Sequence, residues 1–281
     1  MKVARSRAEL AAARAGMSAC VGFVPTMGAL HKGHASLVQR AREDCDTVVA
    51  SVFVNPTQFG PNEDFTRYPR DEAADLAMLE SLGVDLAFLP TVEEMYPPGA
   101  TTYVDVGPVG EVLEGAIRPG HFRGVTTVVT TLCNLVRPTR AYFGQKDGQQ
   151  SVVIKRSTRD LALPVQIVIC PTVRESDGLA MSSRNRYLEP LERLQAPALY
   201  RALQAASRAA AGGERSVDNL RKLMGAELNL ASMGRPDYIS LADAVTLEEL
   251  TTLDRPALAS LAVRFPSARL IDCEPIDPPG F

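Results

Sequence analysis

No apolar run in this 281-residue chain approaches the roughly 20 residues that a membrane span requires. No block of like charge stands out either. The 30 basic and 33 acidic residues are interspersed and leave a net charge of -3, which argues against a nucleic-acid or membrane surface and in favour of a small, locally recognised ligand. The five cysteines (Cys20, Cys45, Cys133, Cys170, Cys273) are far apart and include no C-x-x-C pair, so neither a disulfide framework nor a zinc site is indicated. They read as small buried hydrophobes in a reducing compartment, and the chain as soluble and cytoplasmic. Internal repeats are missing, and the only biased tract is rich in alanine. The arginine-bearing start "MKVARSRAELAAARAGM" superficially suggests a targeting peptide, but its apolar residues have helical spacing, Glu9 sits among them and no cleavage pattern follows. A surface helix is expected there.

What is present is a regular alternation. "CVGFVPT", "DTVVASVFVNP", "VDLAFLP", "RAYFGQ" and "VQIVICP" read as strands. Between them "HASLVQRAREDC", "DEAADLAMLESLG", "GVTTVVTTLCNLVRP" and "DGQQSVVIKRSTRDL" read as helices, the first with Leu37, Val38 and Ala41 on one face. This predicts a doubly wound, Rossmann-like parallel sheet over residues 1–173, which would bind ligands beyond the carboxyl ends of its strands. After Val173 the texture changes. One long helix is expected over "EPLERLQAPALYRALQAASRAAA", a break at Gly212-Gly213, another helix at "SVDNLRKLMGAELNLA", and then a short antiparallel sheet. Residues 174–281 therefore read as a smaller α+β domain.

All three histidines lie in glycine-flanked segments. "GALHKGH" has the glycine spacing of a phosphate-binding P-loop, Gly28 to Gly33, yet His34-Ala35 stands where that loop needs lysine and serine or threonine. With a helix starting near Leu30 to Gly33, His31 and His34 would sit by unpaired N–H groups at the positive end of its dipole, an arrangement suited to phosphate. Structural histidines and a zinc pair are the other readings. "AYFGQKDGQQ" sets Lys146 at a strand end, where it can act as a point charge on phosphate, with Asp147 placed either for ribose hydroxyls or as a helix cap. "ESDGLAMSSRNRYL" offers Ser182, Ser183 and Arg184 to a polyphosphate, or a plain helix cap. "SVFVNPTQFGPNEDFTRYPR" ends a strand with Asn55 and Gln58, neutral amides able to orient a small polar substrate, though Asn-Pro is also an ordinary turn.

"PTMGALHKGH", "FVNPTQFGPNEDFTRYPR", "GHFRGVTTVV", "YFGQKDGQQ" and "MSSRN" occur in the order found in the pantothenate synthetases, or pantoate-β-alanine ligases, and the chain resembles that family from Val3 to Asp272. More loosely, H-x-G-H and MSSRN are similar to the HIGH-like and KMSKS-like signatures of nucleotidyltransferases. The resemblance implies an AMP-forming ligase in which pantoate attacks the α-phosphate of ATP, giving pantoyl adenylate and pyrophosphate, and β-alanine then displaces AMP. It implies that His31 and His34 contact the phosphates and that Lys146, Ser182, Ser183 and Arg184 grip the β- and γ-phosphates. Met27, Gly144, Asp147, Val173 and Met181 would complete the ATP site, Gly144 and Asp147 at the ribose and Val173 and Met181 by the adenine. Gln58 and Gln150 would hold pantoate, with Pro25 and Met27 as its apolar wall. It further implies Mg2+ with ATP, Asp75 as the one remaining acid for that ion, a homodimer, and a C-terminal domain covering the active site. Gly148 stands where several members of that family carry a larger residue, and little effect is expected from the change. Transfer-RNA synthetases, cytidylyltransferases and non-catalytic nucleotide-binding modules share parts of these signatures.

Overall fold

The computed structural model describes every residue except Ser18, Asn62 and 279–281. The chain opens with β1 (Lys2–Ala4) and α1 (Arg7–Ala15), followed by β2 (Val21–Thr26), α2 (Lys32–Asp44) and β3 (Thr47–Val52). Next come α3 (Glu72–Ser81), β4 (Leu86–Phe88), the short α4 (Val92–Met95) and α5 (Glu114–Ile117), α6 (His121–Val136), β5 (Arg140–Gly144), α7 (Gly148–Asp160) and β6 (Gln166–Cys170). The six strands form one sheet in the order β1-β4-β3-β2-β5-β6, every pairing parallel. Valine-rich β2 and β3 are buried along most of their length, as strands covered on both faces must be. On α2 the expected Leu37, Val38 and Ala41 form the buried face. Sequence reading missed β1, whose three residues are too few for a pattern. It placed the N-terminal helix correctly, and Ser6 and Glu9 close that helix with a reciprocal capping box.

The remaining elements are α8 (Pro190–Gln195), α9 (Ala198–Ala211), α10 (Val217–Asn229), β7 (Arg235–Asp243), β8 (Ala257–Arg264) and β9 (Arg269–Ile276). The last three form an antiparallel sheet in sequence order. Pro266 and Ser267 make the tight β8–β9 turn, closed by Phe265 N–H donating to Ala268 O at 2.8 Å. Leu199, Leu203, Leu220, Met224 and Leu261 belong to the core between these helices and strands. The single helix expected over 189–211 is two helices. Pro197 has no N–H to give, so α8 stops at Gln195 and the chain restarts as α9 with Pro197 as its N-cap.

By contacts the chain divides into one unit of Met1–Gly144 with Val153–Cys170 and a second of Gln145–Val152 with Pro171–Phe281. The expected boundary at residue 173 overlooked the excursion Gln145–Val152, which leaves the end of β5 to join the second unit. Among the described residues no helix is long and apolar enough to cross a membrane.

Candidate active site

Strand β2 has β3 on one side and β5 on the other, so the connections leaving their carboxyl ends run in opposite directions. Such a switch point leaves a crevice between the outgoing loops. The loop after β2 is held in an unusual shape. Gly28 has φ +83°, and a Cβ there would come within 2.8 Å of Asp75 Oδ2 and 3.0 Å of Val52. Ala29 follows at φ +51°, a left-handed conformation that costs a non-glycine residue energy and must be imposed by its surroundings. Asp75 imposes it. From α3 it accepts the N–H of Ala29 through Oδ2 at 2.9 Å and of Leu30 through Oδ1 at 2.7 Å, while only 3% exposed. Asp75, expected from the resemblance to serve the magnesium ion, spends its side chain here on the backbone. Both of its oxygens are occupied by backbone donors, and it supports the loop that presents His31.

His31 is the N-cap of α2, one residue ahead of the helix. Its Nδ1 accepts the N–H of Gly33 at 3.1 Å, and Nδ1 of His34 accepts the N–H of His31 at 3.3 Å. The two rings lie 4.1 Å apart, centroid to centroid. This is a capping box in which imidazoles replace the usual serine and glutamate. Because each Nδ1 accepts, the neutral ring carries its proton on Nε2 and offers it as a donor.

Beyond β3, Asn55 caps a single 3-10 turn, Pro56–Gln58. Asn55 is 1% exposed and saturated: Oδ1 accepts from Thr57 Oγ1 (2.9 Å) and Tyr96 OH (2.7 Å), and Nδ2 donates to Gln58 Oε1 (3.0 Å) and Gly124 O (3.1 Å). That assignment turns the Gln58 amide so that Nε2 donates toward Met27 Sδ at 3.2 Å. Pro25, in β2, and Met27 are half-buried. Sequence reading grouped Asn55 with Gln58 as a substrate-orienting amide; the hydrogen bonds make it the residue that orients Gln58.

In the second unit, Lys146 Nζ lies 3.1 Å from Asp147 Oδ1, and both side chains are partly exposed. Cys273 fixes the preceding peptide by donating from Sγ to Gln145 O at 2.8 Å. Burial pushes its thiol pKa far up, so the S–H donor persists. A Cβ on Gly148 would fall 2.5 Å from Cys273 Sγ and 2.8 Å from Leu258 Cδ2, so a larger residue there requires those side chains to shift. Gln150 is half-buried in the first turn of α7. Val173 and Met181 pair across a short hairpin, Met181 N–H donating to Val173 O at 2.9 Å. Ser182 caps the 3-10 turn Ser183–Tyr187, its Oγ accepting the N–H of Arg184 at 3.3 Å, and Asn185 braces the turn on Ala180 O. Lys146, Ser182 and Arg184 line one small cleft together with Arg269 and Asp272. Asp272 is buried and forked by Arg174 at 2.6 and 3.2 Å; burial pushes its carboxyl up, while Arg174 and then the charge of Lys146 pull the other way.

Gly144 ends β5 in the first unit. No group of three or more His, Cys, Asp or Glu among the described residues is arranged to hold a metal ion.

A family model described as pantoate-beta-alanine ligase matches residues 1–274. The pantothenate synthetase of Chloroflexus aurantiacus is 58% identical over 273 residues, covering 97% of each chain. The crystal structure of the pantothenate synthetase of Thermus thermophilus superposes with a TM-score of 0.95 at 51% identity, over 99% of this chain and 100% of that one. A pantoate-beta-alanine ligase from Francisella tularensis, complexed with beta-gamma ATP and beta-alanine, matches with a TM-score of 0.79 at 33% identity, over 98% of this chain and 97% of that one. Matched along nearly its whole length in sequence and in fold, this chain belongs to the pantoate-beta-alanine ligase family.

Proposed function

We propose that this chain condenses pantoate with β-alanine to give pantothenate, activating pantoate with ATP as pantoyl adenylate and releasing pyrophosphate and then AMP. The observation that carries this reading is the histidine cap of α2, which sets two imidazoles, each able to give an N–H, at the positive end of a helix dipole. Such donors suit charge that grows on phosphate oxygens as a bond to phosphorus breaks.

In the first step a pantoate carboxylate oxygen bonds to the α-phosphorus and the bond to pyrophosphate breaks. The carboxylate is already ionised near neutrality, so positioning and charge stabilisation suffice and no base is required. His31 and His34 take the phosphates. Lys146, Ser182, Ser183 and Arg184 take the departing pyrophosphate, Gly144 and Asp147 the ribose, and Val173 and Met181 the adenine. Gln58 and Gln150 hold pantoate against Pro25 and Met27. A neutral amide such as Gln58 can orient pantoate without neutralising the carboxylate that must attack. In the second step the β-alanine nitrogen bonds to the acyl carbon and AMP leaves. Each histidine Nδ1 already accepts a backbone N–H, and no other residue of the site is assigned as a base for that amine. The amine therefore reacts from its small neutral fraction.

Mg2+ enters as part of the substrate, held by the phosphates of ATP and by water. Asp75, the acid expected to bind it, has its oxygens committed to Ala29 and Leu30. We further read the protein as a cytoplasmic homodimer. The test is exchange of labelled pyrophosphate into ATP. Exchange that needs pantoate and not β-alanine supports the adenylate; exchange that requires β-alanine refutes it.

A further inference from the structure

We propose that His121 and Arg118 are positioning residues for the pantoate-reading amide of Gln58, acting through its main-chain carbonyl. The inference rests on the reading of Gln58 given above and adds what holds that residue in place.

Three side chains, His121, Arg118 and Glu63, gather around the carbonyl of Gln58. His121 donates from Nδ1 to Gln58 O at 2.8 Å, and Arg118 Nη2 donates to the same oxygen at 3.2 Å. Arg118 Nη1 lies 3.1 Å from His121 Nε2. A guanidinium can only donate, so Nε2 must accept, and this fixes the proton of the imidazole on Nδ1, where it faces the carbonyl. Glu63 braces the ring from outside by taking Arg118 in a fork, Nε to Oε1 and Nη2 to Oε2, each at 2.6 Å. Every member thus has a direction imposed on it by the next.

The histidine stays neutral in this setting. Burial and then the Arg118 charge pull its pKa down from 6.5 to about 4, against the Gln58 carbonyl and the carboxylates of Glu63 and Glu114. Over working pH it is therefore a constant donor and not a switch.

The far end of Gln58 is held as firmly. Asn55 fixes Oε1, and the same Asn55 is bonded to Gly124 O on α6, the helix that His121 begins. Close approach is possible only because position 124 has no side chain: a Cβ there would come 2.7 Å from Gln58 N and closer still to the Thr57 carbonyl. The first turn of α6 therefore acts as a bench on which the Pro56–Gln58 turn lies. A glutamine fixed at both its carbonyl and its amide oxygen has little freedom left for its Nε2–H, and an amide aimed in advance saves ordering entropy on binding. Gln58 and His121 open together onto a cleft of about 650 Å³ that Tyr103 and Arg123 also line.

A merely structural histidine would predict a different outcome from a positioning one. The experiment measures steady-state constants for pantoate and ATP in Gln58→Ala, His121→Ala, His121→Asn and the double variant Gln58→Ala/His121→Ala. His121→Ala is expected to raise the pantoate KM about tenfold, the scale of one lost buried hydrogen bond, with the ATP KM unchanged. Asparagine places an N–H near the position of Nδ1 and should recover most of that loss. In the double variant the histidine change should add nothing to the glutamine change, since it acts through that residue.

An unchanged pantoate KM in His121→Ala, equal rises in both KM values, or additive effects in the double variant would each overturn the proposal. If Gln58→Ala itself leaves pantoate binding intact, the reading of Gln58 fails first and takes this inference with it, a result distinct from failure of His121 alone. Should His121→Ala not fold, Glu63→Gln decides in its place. It loosens Arg118 while keeping His121, and a selective rise in pantoate KM supports the proposal where an unchanged KM refutes it.

Discussion

Replacing Asp75 separates its two possible roles. In Asp75→Ala the buried N–H groups of Ala29 and Leu30 lose their acceptors, at 2.9 and 2.7 Å respectively. Each buried donor left unsatisfied costs about 1–3 kcal/mol, so the loss comes to roughly 2–6 kcal/mol. Asp75→Asn keeps one acceptor and turns an amide N–H toward the other donor, and should fall inside the same range. Because His31 follows Leu30 directly, the slackened loop should also lower kcat. Urea unfolding reads the first effect, as a lowered midpoint at unchanged slope. Steady-state rates over a magnesium titration read the second, and the support role predicts that added magnesium restores nothing. A variant as stable as the parent, whose activity returns as magnesium is raised, would refute this reasoning and make Asp75 a metal ligand.

Lys146→Ala should slow pantoate-dependent pyrophosphate exchange by at least ~2 kcal/mol of transition-state stabilisation, and near-normal exchange would remove the lysine from the site. Gly148→Ala should destabilise the chain by about 1–3 kcal/mol, because its Cβ meets Cys273 and Leu258, and should raise the ATP KM as the Lys146 segment shifts; an unchanged melting curve would contradict the close contact. Gln58→Glu should abolish pantoate binding by charge repulsion, and calorimetry showing unchanged affinity would refute the role of Gln58. Acid should weaken the fold through His121: its pKa is 6.5 in the unfolded chain and about 4 when folded, so between those values the unfolded chain binds more protons. Stability is then full above pH 6.5 and falls by up to ~3 kcal/mol as pH drops toward 4. Unfolding midpoints taken across that window should show a slope that flattens in His121→Asn.

The parallel sheet was legible because its strands are short apolar runs set between helical patterns, and α2 because Leu37, Val38 and Ala41 repeat at helical spacing. What escaped was non-local or too short. Strand β1 has three residues. The α8–α9 break turns on one proline inside a tract otherwise rich in helix formers. The excursion Gln145–Val152 is held by Cys273, more than a hundred residues away, which no local pattern encodes. Among site residues, the histidines, Gln58 and Lys146 carry chemistry that a sequence displays. The bonds from Asp75 to Ala29 and Leu30 were not legible, because an acid looks the same in sequence whether it faces an ion or two amides. The cluster of Glu63, Arg118 and His121 was hidden for a related reason: its members have ordinary identities and meaningful partners only in three dimensions.

The histidine cap also explains why lysine is missing from a loop that otherwise has P-loop spacing. A lysine ammonium can give hydrogen bonds and never receive one, so it could not close the first turn of α2 as Nδ1 of each ring does. Serine or asparagine could receive the bond but would end too short to extend beyond the helix. Imidazole carries an acceptor and a donor on separate atoms of one rigid ring, so each residue binds its own scaffold with one atom while holding out the other. Position and reach are delivered by the same side chain, and the two residues are tied in one direction: losing the His34 ring uncaps the backbone of His31, while losing the His31 ring uncaps Gly33.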